Sequence, residues 1–109
     1  MDKDTEKQIQ ELQMLEQNMQ NILMQKQAFQ MELSETENAL GELAKSNQDV
    51  YKIAGNIMIK HSKETMLKDL AQKKDLISLR LKNLDTQEKT LSKSSEEIRE
   101  KVLSKIKKN

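Results

Sequence analysis

Apolar residues recur at alternating spacings of three and four along most of the chain, and this heptad repeat limits the folds it can adopt. In the first half the repeat runs through Leu12, Leu15, Met19, Ile22, Lys26, Phe29, Leu33, Thr36, Leu40 and Leu43. In the second half it runs through Leu67, Leu70, Lys74, Ile77, Leu81, Leu84, Glu88, Leu91, Ser95, Ile98 and Val102. No proline and only two glycines occur in the chain. Such a repeat is typical of long helices that bury a narrow apolar seam against a partner helix.

The two seams mirror each other about Gly55. Leu43 and Leu67 lie at equal distances before and after this glycine, close to it in the sequence. Leu12 and Ile98 also lie at equal distances before and after it, near the two ends of the repeat. A mirrored pair of seams indicates two helices that run antiparallel. We therefore predict a mostly α fold within a single domain over residues 1–109, an antiparallel two-helix coiled-coil hairpin. The helices are expected over about 5–47 and 63–107, with a short central β-hairpin over about 50–60.

Three charged residues interrupt the seams: Lys26, Lys74 and Glu88. They could set the register of the helix pair or leave one side of it open. The commoner explanation is that their long side chains extend to the edge of the seam and keep their charges in water. Ser62 is expected to cap the second helix, with Glu64 favourable in its first turn.

The segment VYKIAGNIMIK at residues 50–60 is β-branched, aromatic and broken by Gly55, unlike its charged surroundings. It predicts a β-hairpin. A two-residue Gly55-Asn56 turn would split the isoleucines between two faces. A three-residue loop over 54–56 would instead place Ile53 opposite Ile57 and Tyr51 opposite Ile59 on one apolar face. Burial favours the second register. Two short strands are marginal alone in water, so we expect this hairpin to be a subunit interface formed by Val50, Tyr51, Ile53, Ile57, Met58 and Ile59.

The composition excludes several classes of function. With 34% charged and 2% aromatic residues, the chain is too polar for an ordinary globular core of this size. The net charge of +1 gives no field for nucleic acid or an acidic membrane. One histidine, no cysteine and no phosphate-binding glycine loop predict a non-enzymatic protein without cofactor or metal. No apolar run approaches the roughly 20 residues of a membrane span, so we expect a cytoplasmic protein.

The stretch DVYKIAGNIMIK, followed by SKETMLKDLAQKKDLISLRLKNLDTQEKTL, closely resembles the β-class subunits of prefoldin. The resemblance covers nearly the whole chain, and its most specific part is the hairpin with Tyr51 and Gly55. It implies an ATP-independent holding chaperone whose hairpins join into intersubunit β-barrels. The implied partners are an α-class prefoldin subunit and further β copies, two α with four β, together with unfolded client proteins and a group II chaperonin.

The resemblance also implies that clients bind at the coiled-coil tips, the N-terminal part of the first helix and the C-terminal part of the second. Apolar residues gather there, some of them outside the seam: Ile9, Leu12, Met14, Leu15, Ile98, Val102, Leu103 and Ile106. Further along the first helix, Met24 and Met31 fall at heptad positions that point away from the seam. The alternative function is a coiled-coil spacer or adaptor with one fixed, folded partner. Such a spacer would need neither the apolar hairpin nor the apolar tips.

Overall fold

A computed structural model describes residues 2–108 of the chain. Helix α1 spans Lys3–Lys45, strands β1 and β2 span Val50–Ala54 and Ile57–His61, and helix α2 spans Lys63–Lys108. This order confirms the predicted fold class of two long helices with one short antiparallel hairpin between them. Neither helix, within the part of the chain that is described, contains an apolar stretch able to cross a lipid bilayer.

Segments of the two helices pack into two compact units. The first contains residues 2–27 of α1 and residues 82–108 of α2. Its buried seam residues are Thr5, Ile22, Leu84 and Val102. Two ion pairs join the helices, Glu16–Arg99 and Lys26–Asp85. As the residue number rises along α1, the number of the partner in α2 falls. The two segments of this unit therefore run antiparallel, as the mirrored seams predict.

The second unit contains residues 28–81, including the whole β-hairpin. Leu43 and Ile77 are buried in its seam. The Arg80 guanidinium lies 5.7 Å from the centroid of the Phe29 ring, close enough for a cation–π contact. Thr36 is a buried polar seam residue, and its hydroxyl donates to the Glu32 carbonyl at 2.8 Å. Its burial therefore leaves no unpaired hydroxyl donor.

Polar side chains fix the ends of the helices. Asp2 Oδ1 accepts a hydrogen bond from the Thr5 amide at 2.7 Å, which caps the start of α1. Ser62 Oγ accepts from the Thr65 amide at 3.1 Å, confirming the predicted cap of α2. Lys63 Nζ donates to the carbonyl oxygens of Ala44 and Ser46 at 3.3 and 2.8 Å. A cation at the last carbonyls of α1 satisfies exposed acceptors and complements the helix dipole.

The register of the hairpin differs from the sequence-based prediction. Ile53 pairs with Met58 and Ala54 pairs with Ile57, so the turn has two residues, Gly55 and Asn56. The three-residue loop that placed Ile53 opposite Ile57 and Tyr51 opposite Ile59 is therefore wrong. Gly55 has a positive φ of 62°, whereas no other residue of the described chain does. A glycine with positive φ at the first central position is the requirement of a tight II′ turn, whose twist matches the strands.

Candidate functional site

The two-residue turn gives the hairpin two distinct faces, because directly opposed residues point to the same side of the sheet. The Tyr51 face consists of Tyr51, Ile53, Met58 and Lys60. The Val50 face consists of Val50, Lys52, Ala54, Ile57, Ile59 and His61. Each face therefore carries apolar side chains, and the isoleucines are divided between them.

Both faces are open to solvent within this chain. On the Tyr51 face Ile53 is 72% and Met58 65% exposed, and on the Val50 face Ile57 is 64% exposed. Only Val50 and His61, at the base of the hairpin, are half-buried. Exposed apolar side chains on both sides of a two-stranded sheet, with unpaired strand edges, are typical of a surface that another chain covers.

The base of the hairpin is anchored on the adjoining helix ends. Val50 lines one open groove together with apolar residues of both helices, namely Ala39, Leu43, Met66 and Leu70. Beside this groove, Lys60 Nζ near the end of β2 lies 3.7 Å from the carboxylate of Asp49, the residue that precedes β1. The base of the hairpin therefore lies against the adjoining ends of the two helices, while its remaining apolar surface stays uncovered.

The predicted tip residues fall into three classes of exposure. Met14 is 67%, Leu103 49% and Ile106 49% exposed. Half-buried are the residues Ile9, Leu12, Leu15 and Ile98. Val102 is buried in the seam. Only the first class is therefore accessible while the helices remain paired, and the other residues need the pair to loosen before they can bind anything.

The seam at these helix ends contains a polar residue, Gln8. Its Oε1 atom is buried and has no hydrogen-bond partner within residues 2–108. Gln8 occupies the seam position level with Val102. A glutamine at a seam position gives up the apolar contact that Leu, Ile or Met makes elsewhere in the repeat, so this layer contributes less to the pairing of the helix ends.

The sequence profile of a family described as prefoldin subunit matches residues 6–109. The chain belongs to the prefoldin family. The β subunit of prefoldin from Archaeoglobus fulgidus is 37% identical over 94 residues, which cover 84% of this chain and 81% of the relative. The β subunit from Pyrobaculum islandicum is 38% identical over 86 residues, covering 77% of this chain and 69% of the relative.

The prefoldin fold is also confirmed by a solved structure. The crystal structure of the prefoldin β subunit from Thermococcus strain KS-1 superposes with a TM-score of 0.87 at 28% identity. The match covers 94% of this chain and 92% of that one. The predicted resemblance to β-class prefoldin subunits is therefore confirmed.

Sequence reasoning missed several features of this prefoldin chain. Leu23, Leu76 and Leu79 are 42% to 55% exposed, and their positions off the heptad seam could have indicated this. Lys63, which binds the end of α1, has no comparable signal, because exposed lysines are common throughout the chain. Among residues 2–108 no group of three or more His, Cys, Asp or Glu side chains is arranged to hold a metal ion.

Proposed function

We propose that this chain is a subunit of an ATP-independent holding chaperone that assembles through its β-hairpin and binds non-native polypeptides at its helix ends. The observation that carries the proposal is an apolar hairpin, exposed on both faces, in a chain of the prefoldin family. The implied partners are an α-class prefoldin subunit and further copies of this chain, in the ratio of two α to four β. Held clients would pass to a group II chaperonin.

The charges near the hairpin are compatible with assembly. Most of its exposed side chains are apolar, and its two lysines, Lys52 and Lys60, lie on different faces. Either face can therefore pack against another sheet without bringing two lysines of one hairpin together. Strand edges from neighbouring hairpins would supply the missing backbone hydrogen bonds.

Client binding at the helix ends is supported by the exposure of Met14, Leu103 and Ile106. These side chains offer flexible apolar contact without any enclosed pocket of fixed shape. Methionine in particular adapts to varied apolar surfaces. The unpaired oxygen of Gln8 adds a reason for the helix ends to separate and present the half-buried seam residues as well. Weak, adaptable contact of this kind suits a protein that holds many different unfolded chains.

The test compares two sets of exposed methionine and aliphatic side chains. In the complex with an α-class subunit, Met14→Ser, Leu103→Ser and Ile106→Ser are combined. The matched control combines Met24→Ser and Met31→Ser, whose native side chains are 68% and 67% exposed but lie elsewhere on α1. Both sets remove surface apolar groups and should leave thermal stability almost unchanged.

The measurement is light scattering from two unrelated denatured proteins, diluted into buffer without nucleotide. We expect the parent and the Met24/Met31 control to suppress aggregation and the helix-end variant to lose most of this activity. If the control variant loses activity instead, the clients bind along the inner methionine surface. A parent complex that suppresses neither client would support the spacer or adaptor function.

A further inference from the structure

Lys26 brings a positive charge into the apolar seam of α1. Its Nζ lies 2.6 Å from Asp85 Oδ1 and 2.6 Å from Glu88 Oε2, and its side chain is 19% exposed. Other ion pairs within residues 2–108 join atoms 3.4 to 3.9 Å apart, between side chains that are 42% to 68% exposed. The Lys26 cluster, defined as Lys26, Asp85 and Glu88, is therefore tighter than these surface pairs. Lys26 and Glu88, whose side chain is 32% exposed, are also more buried than the groups in those pairs, whereas Asp85 is 54% exposed.

The cluster lies at and beside seam positions near one end of its unit, which contains residues 2–27 and 82–108. Lys26 and Glu88 both take the a position of the heptad when Leu12 is called a, and Asp85 lies beside them at e. The seam residues level with the two charges, Leu84 and Ile22, are each 6% exposed. Hydrogen bonds to Asp85 and then Glu88 raise the pKa of Lys26, so the lysine stays charged in the seam.

Stability alone does not account for this arrangement. A partly exposed ion pair contributes little to stability, and replacing charges in a helix interface with apolar side chains of similar volume is often neutral or stabilising. A methionine or leucine at positions 26 and 88 would also continue the repeat that the rest of each seam follows. A more specific explanation lies in the helix pairings that the charges make unfavourable.

Apart from Lys74, Thr36 and Ser95, the remaining residues of the two repeats are apolar. Apolar residues discriminate poorly between partners, because Leu, Ile and Met in one helix fit a similar seam in any other. In a parallel pair of two α1 helices, the two Lys26 side chains would meet in the same layer. In a parallel pair of two α2 helices, the two Glu88 side chains would meet. Both pairings place like charges in the seam and remove the opposite charge that each residue has now.

We propose that the Lys26 cluster determines pairing specificity: it selects the pairing of α1 with α2 and disfavours pairing of either helix with its counterpart in a second copy of the chain. The selection matters wherever several copies lie close together, but it follows from the contacts within one chain and does not depend on the proposed chaperone activity. Lys26 is the central residue, since it alone contacts both carboxylates.

The test uses the absence of cysteine from the native sequence. A single Met19→Cys substitution places a thiol at the a position one heptad before Lys26, where two α1 helices in parallel would bring their thiols together. In a glutathione redox buffer, adding Lys26→Met and Glu88→Met to the full-length chain should raise the yield of disulfide-linked dimer roughly tenfold. The melting temperature, followed by circular dichroism, should stay equal or rise.

Two further variants separate pairing specificity from general effects of charge. Glu32→Met with Lys73→Met removes an exposed pair 3.4 Å long, and the dimer yield should not change. Lys26→Glu with Asp85→Lys and Glu88→Lys reverses the cluster and should keep the parental yield.

Equal dimer yields in the parental and double-methionine chains would overturn the proposal. So would a rise in the charge-reversed chain as large as that in the double-methionine chain. A fall in melting temperature on substitution to methionine would also contradict it, because the cluster would then be a stabilising contact and its effect on pairing secondary.

Discussion

Gln8 illustrates how one side chain can lower the stability of a long helix pair locally. Its buried Oε1 has no hydrogen-bond partner within residues 2–108. The adjacent seam residue Thr5 is also polar and buried. Most of the repeat places Leu, Ile or Met at such positions, so the glutamine replaces an apolar contact and adds an unpaired acceptor. The helix ends are therefore less firmly paired than the apolar layers of the repeat.

Replacing Gln8 with leucine should raise the free energy of unfolding by about 1 kcal/mol, because it removes the unpaired oxygen and continues the seam. Denaturant titration of the purified chain measures this change. Gln10→Leu is the control, since Gln10 is exposed, and it should change stability by less than about 0.5 kcal/mol. Equal effects of the two substitutions would show that general hydrophobicity, rather than the seam position, is responsible.

Asp2 predicts a pH dependence at the start of α1. Hydrogen bonds from the Thr5 side chain and then from the Thr5 amide hold the pKa of the Asp2 carboxyl below its usual range, with a smaller contribution from the positive charge of Lys105. A carboxylate with a depressed pKa stabilises the folded state above its unfolded pKa, and this contribution is lost as pH falls through the folded value. The first turn of α1 should therefore fray under acid conditions.

Asp2→Asn provides the matched comparison, because asparagine also caps helices but does not titrate in this range. Carbon chemical shifts of residues 3–6, recorded by NMR between about pH 6 and pH 2, should move toward coil values in the parent and stay nearly constant in the variant. Identical titration curves would show that other acidic residues of the first turn cause the change.

The β-hairpin shows where sequence-based prediction succeeds and where it stops. Its position followed from β-branched residues and Gly55 in an otherwise helical chain, and the Ser62 cap followed from a serine just before the second repeat. The register did not follow, because the burial rule assumes that one face is covered and the other is wet. Ile53 and Ile57 are both exposed within one chain, so neither face is covered and burial cannot select a register. The backbone geometry at Gly55 decides the turn instead.

The same limit applies to the interaction surfaces. Heptad positions correctly place Met14, Leu103 and Ile106 outside the seam, where they are exposed. They cannot show that Lys26 reaches two carboxylates at once, because a lysine side chain at an a position can extend in several directions. The direction of a side chain depends on its neighbours across the interface. A heptad repeat assigns positions along each helix and does not identify these neighbours.

The two glycines should respond to alanine in opposite ways. A Cβ at Gly41 would meet no atom within 4 Å, and Gly41 lies inside α1, so Gly41→Ala should stabilise the chain by about 0.5–1 kcal/mol. Gly55→Ala should destabilise the hairpin by about 1–2 kcal/mol, because its φ of 62° is unfavourable for an L-residue. Thermal unfolding measures the first change, and assembly with the α-class subunit measures the second. Equal signs would contradict the assigned backbone geometry.

Assembly of the whole complex should depend on both faces of the hairpin. Ile53→Lys with Met58→Lys alters the Tyr51 face, and Ile57→Lys with Ile59→Lys alters the Val50 face. Because burying each apolar side chain contributes roughly 1.5–3 kcal/mol, either pair should release subunits from the complex. Sedimentation velocity of the mixture with the α-class subunit measures the result, and the helical circular dichroism signal should remain.

Leu76→Lys with Leu79→Lys is the control for that experiment, since these α2 residues are 50% and 55% exposed and lie outside the hairpin. We expect it to leave the complex intact. If only one hairpin pair disrupts assembly, only that face is covered by another subunit. If neither does, the hairpin is not the interface.

The uncovered hairpin has a consequence for how such a chain must be produced. Under the proposed assembly, each newly made copy carries an apolar surface with unpaired strand edges until another subunit covers Ile53, Ile57 and Met58. A surface of this kind promotes aggregation and attracts degradation. Copies made in excess of their partners would therefore be lost first. The abundance of this chain in a cell should follow the supply of the subunits that cover it, and reducing synthesis of those subunits should shorten its lifetime.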